Sequence, residues 1–188
     1  MLKHSPNGDA YLPDGAADLS EPPAPRSLGL SLAIFILAYV LLQWGWIRAH
    51  GTWIEHLVVH DLTVAPAVAA IRSLTPEIAA TARGASIRAT GGGLNILSGC
   101  EGTEVVFLLL AALLAVRLPW RIALPSALGG ILWIFLLNQA RVLALFYAFR
   151  ADRASFDILH TTILPAVLVA LAAAYFYGTL HFARQRLA

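Results

Sequence analysis

Charge and cysteine are what this 188-residue chain has least of. Only 13% of its residues are Asp, Glu, Lys or Arg, the formal net charge is +2, and there is one cysteine. A single thiol excludes an intramolecular disulfide framework and a cysteine-rich zinc or iron–sulfur site. So small a net charge, with no basic block, leaves no electrostatic footprint for nucleic acid. Apolar residues take the place of the missing charge. They make up 59% of the chain, and the mean hydropathy is +0.71. Soluble domains are about half apolar and about a quarter charged, so this balance points to an integral membrane protein.

The charge is unevenly spread. Residues 1–27 hold Pro6, Pro13, Pro22, Pro23 and Pro25 beside Asp9, Asp14, Asp18 and Glu21. Such a stretch cannot bury a core and is expected to be a disordered cytoplasmic tail. Residues 28–188 then form a single membrane-embedded domain. Leu28 through Ile47 is uncharged and ends near Trp44 and Trp46. About 20 apolar residues cross a bilayer core, and tryptophans favour its interface. Further apolar spans are expected over roughly 103–118, 122–148 and 159–180, the first two joined by a tight link that Arg117 and Arg121 bracket.

Two stretches do not read as spans. In 52–74, Glu55, His56, His60 and Thr63 recur at helical spacing opposite Trp53, Ile54, Leu57, Val58 and Leu62. That stripe suits a helix lying in the interface, with Pro66 breaking or kinking it. Around Gly91-Gly92-Gly93, the segments 86–90 and 94–97 predict a short hairpin, placed in water or against protein. The expected fold is therefore all-α: four transmembrane helices, an interfacial amphipathic helix and a short extracytoplasmic β-hairpin.

Three polar residues stand at or in these spans. Cys100 lies at the mouth of one, in Ser98-Gly99-Cys100-Glu101-Gly102-Thr103. Arg141 lies inside the next, in Asn138-Gln139-Ala140-Arg141-Val142, and His160 opens the last. The antiparallel order puts all three toward one face. With the Arg117/Arg121 link and the Arg184/Arg186 tail inside, that face is the non-cytoplasmic one. Taken together, those four arginines with Lys3 and Arg26 stand six against six with Arg48, Arg72, Arg83, Arg88, Arg150 and Arg153, so the count alone decides nothing.

The residue types suit nucleophilic chemistry. A thiolate is the nucleophile, and a helix N-terminus, Arg or protonated His lowers its pKa. The sequence expectation is that Cys100 begins its helix, whose free N–H groups could also hold an oxyanion. His160 can take and return a proton. An arginine within an apolar span costs between about 2.5 and 17 kcal/mol, so a function is its default explanation. Glu104 is the expected carboxylate partner, if Arg141 has one, and Asn138 can steady the guanidinium or hold a substrate carbonyl.

Cys100-Glu101-Gly102, Asn138-Gln139-Ala140-Arg141 and His160 together resemble the Cys-x-Gly, Asn-x-x-Arg and His signatures of the exosortase/archaeosortase family. The likeness covers about residues 80–180, although many members carry Ser where this chain has Glu101. The resemblance implies a multi-pass transpeptidase of the cytoplasmic (inner) membrane that needs no cofactor or metal. Cys100, Arg141 and His160 would be catalytic, with Asn138 and Gly102 in support. Its substrates would be exported proteins ending in a recognition motif, an apolar helix and a basic tail. Cleavage would pass through a thioester, followed by transfer to an acceptor. Two other possibilities stand beside it: a non-enzymatic transport or assembly subunit, and a membrane metalloprotease using His56 and His60. The i, i+4 spacing of the two histidines suits zinc, but no third ligand stands at an obvious spacing.

Overall fold

The computed structural model describes residues 27–96 and 99–187, with the backbone alone at Leu187. The expected tail at 1–27 lies, apart from Ser27, outside the described residues. Seven α-helical pieces are present: α1 (Leu28–Ala49), α2 (Trp53–Glu55), α3 (Ala65–Leu74), α4 (Thr103–Ala115), α5 (Trp120–Ala151), α6 (Arg153–Ile158) and α7 (Leu164–Leu187). Two wider, π-helical segments join neighbours into continuous rods: His56–Val64 between α2 and α3, and Leu159–Ile163 between α6 and α7. Among the described residues four helices are long and apolar enough to cross a membrane: Leu28–Ala49, Trp53–Leu74, Trp120–Ala151 and Arg153–Arg186.

Three of these cover the expected spans at 28–47, 122–148 and 159–180; the fourth differs. The 103–118 segment is helical only to Ala115, a 13-residue helix followed by an extended link. At 1.5 Å per residue that is about 20 Å, short of a bilayer core of about 30 Å. Trp53–Leu74, expected in the interface, has the length to cross. Its anchors nevertheless lie at one end of the bundle. It follows α1 after a short turn, and α1 ends where Trp46 Nε1 donates to Glu101 just ahead of α4 (3.2 Å). Its far end is fixed by a 2.8 Å hydrogen bond between the Thr75 and Tyr147 hydroxyls, close to the end of α5. Both ends of the rod are thus tied near the loop ahead of α4 and the end of α5, while Ile54, Val58 and Leu62 share a cavity with Ile131 and Phe135.

Pro66 does not end this rod. It sits in the first turn of α3, where the helix narrows from π to α. A proline has no N–H for the carbonyl four residues back. That carbonyl, of Leu62, instead accepts a 2.8 Å hydrogen bond from Gln139 Nε2 of α5.

Two apolar cores result. The lower one gathers Leu109 and Leu113 of α4, Ile134 of α5, and Leu168 and Ala172 of α7. Gly130 lets these helices close up, since a Cβ there would run into Leu109 and Tyr175. The upper core forms a cap, in which Val64, Ile71, Ile78, Ile87 and Leu94 pack on Val142, Leu145 and Phe146 of α5. The last third of α5, within the expected 122–148 span, thus also carries the cap.

The cap holds a small open antiparallel sheet in the order β1 (Thr81–Arg83), β2 (Ser86–Arg88), β3 (Leu94–Asn95). The expected hairpin is β2–β3, with Ile87 opposite Leu94. Gly93 must pass against the Ile87 carbonyl, where a Cβ has no room. Strand β1 was not expected; its three residues turn into β2 through Gly84 at φ 56°.

Candidate active site

The junction of cap and bundle brings Cys100, Asn138, Arg141 and His160 together. Cys100 does not begin a helix. It lies ahead of α4 in a tight loop between Gly99 (φ 89°) and Gly102 (φ 80°), both left-handed. A side chain at either position would strain the backbone by about 1–2 kcal/mol. At Gly102 it would also press on Asn138, whose Cγ would lie 3.0 Å from a Cβ.

Helix α5 holds the loop by its carbonyls. Buried Asn138 donates Nδ2 to the Cys100 carbonyl at 3.1 Å. One helical turn on, Arg141 donates Nη1 to the Gly99 carbonyl at 3.3 Å. No carboxylate lies within ion-pairing distance of Arg141 among the described residues, and Glu104, the expected partner, is exposed. Arg141 Nε and Asn138 Oδ1 are buried without a hydrogen-bond partner among the described residues. On its other side Arg141 is the one charged residue of an apolar cleft between α5 and α7, lined by Leu137, Ala140, Leu164, Val167 and Leu168.

His160 closes the group. Its Nε2 stands 3.2 Å from Cys100 Sγ, across 60 residues of sequence. The histidine was expected to open its span. It lies instead within the π-helical turn of the Arg153–Arg186 rod, a distortion frequent at functional sites. Its ring stacks on Phe156 at 5.3 Å with planes 7° apart, and Phe156 is held edge-on by Phe149. A thiol donating to Nε2 fixes the imidazole proton on Nδ1.

Three residues of this neighbourhood take contacts that the sequence did not reveal: Glu101, Trp46 and Phe156. Glu101 is buried, and one oxygen accepts from Trp46 Nε1 at 3.2 Å and Thr103 Oγ1 at 3.3 Å. Its charge is thereby tied toward α1, and Trp46 becomes a strut from α1 to the Cys100 loop. Phe156 did carry a signal, since it stands four residues before His160 on one helical face. His56 and His60 stay outside the group and line a separate cavity with Gly51, Thr52, Gly84 and Ala85.

No family model, curated protein or solved structure matches this chain. What bears on function is the geometry of these side chains.

Proposed function

We propose that the chain is a membrane-embedded cysteine transpeptidase of the exosortase/archaeosortase type, acting on exported proteins at the non-cytoplasmic face of the cytoplasmic membrane. The observation that carries this is the 3.2 Å approach of Cys100 Sγ to His160 Nε2, beside a loop that Asn138 and Arg141 hold in place. A structural cysteine needs no histidine 60 residues away and no buried arginine beside it.

The chemistry follows from the roles available. His160 takes the Cys100 proton, and the thiolate attacks a peptide carbonyl of the substrate near its C-terminal apolar helix. Arg141 provides positive charge next to the tetrahedral oxyanion. Collapse breaks the C–N bond as His160 gives its proton to the leaving amine, which departs with the C-terminal helix. The remaining acyl chain is then a thioester on Cys100. An acceptor amine or hydroxyl, deprotonated by His160, attacks it and releases the thiolate, which regains the proton.

The test is substrate cleavage by the purified protein in nanodiscs. Cys100→Ala should abolish it while leaving folding intact, and Cys100→Ser should be severely impaired because a hydroxyl is far less ionised than a thiol. A transport or assembly subunit would instead keep its function in both variants. Wild-type processing by Cys100→Ala would falsify the covalent mechanism.

A further inference from the structure

The π-helical segment His56–Val64 gathers a second group of side chains, away from Cys100. His56, His60 and Asp61 each offer one ligand atom, and these atoms lie within 4.8 Å of one another. Asp61 stands between the imidazoles, with Oδ2 3.5 Å from His56 Nδ1 and Oδ1 2.8 Å from His60 Nδ1. The two rings stack with centroids 4.7 Å apart. They form part of the wall of a cavity of about 270 Å³.

Helix type makes this cluster possible. On an α-helix, residues five apart point about 140° away from each other, so Asp61 would face away from His56. In the wider π-helix, with its i to i+5 hydrogen bonds, residue i+5 comes round beneath residue i. His56, His60 and Asp61 then share one face. This is the third ligand for which the sequence spacing gives no sign.

We propose that His56, His60 and Asp61 bind one Zn(II) ion, or a divalent transition metal of similar preference, with the remaining coordination position open to the cavity. Two imidazole nitrogens and a carboxylate oxygen suit zinc and its neighbours rather than calcium or magnesium. Tetrahedral ligands about 2.0–2.1 Å from zinc stand about 3.4 Å from each other; the His56–Asp61 pair is at that spacing, and the His60–Asp61 hydrogen bond at 2.8 Å must open by about 0.6 Å as the ion replaces its proton. Bound metal cross-links one turn of the rod next to Leu62, whose carbonyl rests on Gln139. The role is a metal clamp on the cap, independent of the Cys100 chemistry.

The experiment titrates the full-length protein, purified in detergent, with Co(II) while following its visible d–d absorption, and then displaces the cobalt with Zn(II). One equivalent per chain is expected. His56→Asn and Asp61→Asn, folded by circular dichroism, should each weaken Zn(II) binding by about tenfold or more. His181→Asn, an exposed histidine outside the cluster, and Cys100→Ala should bind as the wild type does. Absence of stoichiometric binding overturns the proposal. So does binding that survives His56→Asn and Asp61→Asn, or that is lost in Cys100→Ala, which would place the ion at the Cys100–His160 pair.

Discussion

Arg141 and Gly102 each bear on how α5 holds the Cys100 loop. Arg141 gives one of its donors to the Gly99 carbonyl, and the proposed mechanism needs the remaining donors of its planar fork for the reacting oxygen. Lysine at this position keeps the charge and can still reach one carbonyl, so the loop should survive the change. It loses the fork, and Arg141→Lys is expected to insert and fold but to lose turnover by about 10²-fold or more, as when an oxyanion donor is removed. Cleavage normalised to folded protein measures this, and a near wild-type rate would reduce Arg141 to a packing charge. Gly102→Ala tests the contact with Asn138. Its Cβ meets Asn138 at contact distances of 3.0–3.2 Å in a left-handed backbone. The backbone strain alone costs about 1–2 kcal/mol, and Asn138 must also shift away from the Cys100 carbonyl. Activity should fall further than the melting temperature suggests. Equal, small losses in both would mean that the loop tolerates the shift.

The helices differ in how far the sequence reveals them. The apolar stretches at 28–47, 122–148 and 159–180 were legible because an unbroken apolar run needs no tertiary context. The β2–β3 hairpin was legible from its three glycines. Tertiary contacts hid the rest. A π-helical turn leaves no composition signal, so His160 was placed at a helix start and nothing pointed to Asp61 as a partner of His56 and His60. Pro66 looked like a break because Gln139, 73 positions later, could not be foreseen as the partner of Leu62. In the site, Cys100, Asn138, Arg141 and His160 stood out as polar residues in apolar runs, whereas Glu101, Trp46 and Phe156 gain meaning only through contacts. Helix α6 has its own signal in Asp152. Its carboxylate accepts from the Ala154 and Ser155 N–H groups at 3.2 and 2.9 Å and from the Ser155 hydroxyl at 2.8 Å. The hydroxyl bond, then the two N–H bonds, hold its pKa below the ordinary carboxylate value. A lowered folded-state pKa means stabilisation that is complete above the unfolded carboxylate range and lost as pH falls through the folded value. Asp152→Ala should therefore melt below the wild type at neutral pH, and the two curves should converge on acidification below that range. A gap that persists undiminished in acid would show that the carboxylate is not the cap.

Across the whole molecule, exposed apolar side chains form a girdle around the lower bundle. Leu32, Ile36, Leu37, Val40 and Leu41 of α1, Leu124, Leu128, Leu132 and Leu136 of α5, and Val167 and Val169 of α7 have no protein to cover them. So much exposed apolar surface, on helices long and apolar enough to cross a bilayer, is compatible with a multi-pass membrane protein. Arginine–aromatic pairs border it. Arg48 stands 5.0 Å from the Trp44 ring at the cap end, while Arg121 on Trp120 (5.7 Å) and Arg186 on Phe182 (5.1 Å) mark the opposite end. Such pairs favour the two interfaces of a bilayer. The proposed topology keeps the Trp53–Leu74 rod on one side together with the sheet, Cys100, α6 and His160. The single cysteine makes this easy to test, since Cys100→Ala gives a background without thiols. In that background Glu77→Cys and Asp157→Cys sit at exposed cap positions, and Pro119→Cys is exposed at the opposite end. An impermeant maleimide applied to cells with the outer face of the membrane accessible should label the two cap positions, and Pro119→Cys only after the membrane is opened. Labelling of Pro119→Cys alone would reverse the orientation and put Cys100 in the cytoplasm, away from exported substrates. Labelling of Asp157→Cys without Glu77→Cys would mean that the Trp53–Leu74 rod crosses the bilayer, and the cap would have to come apart.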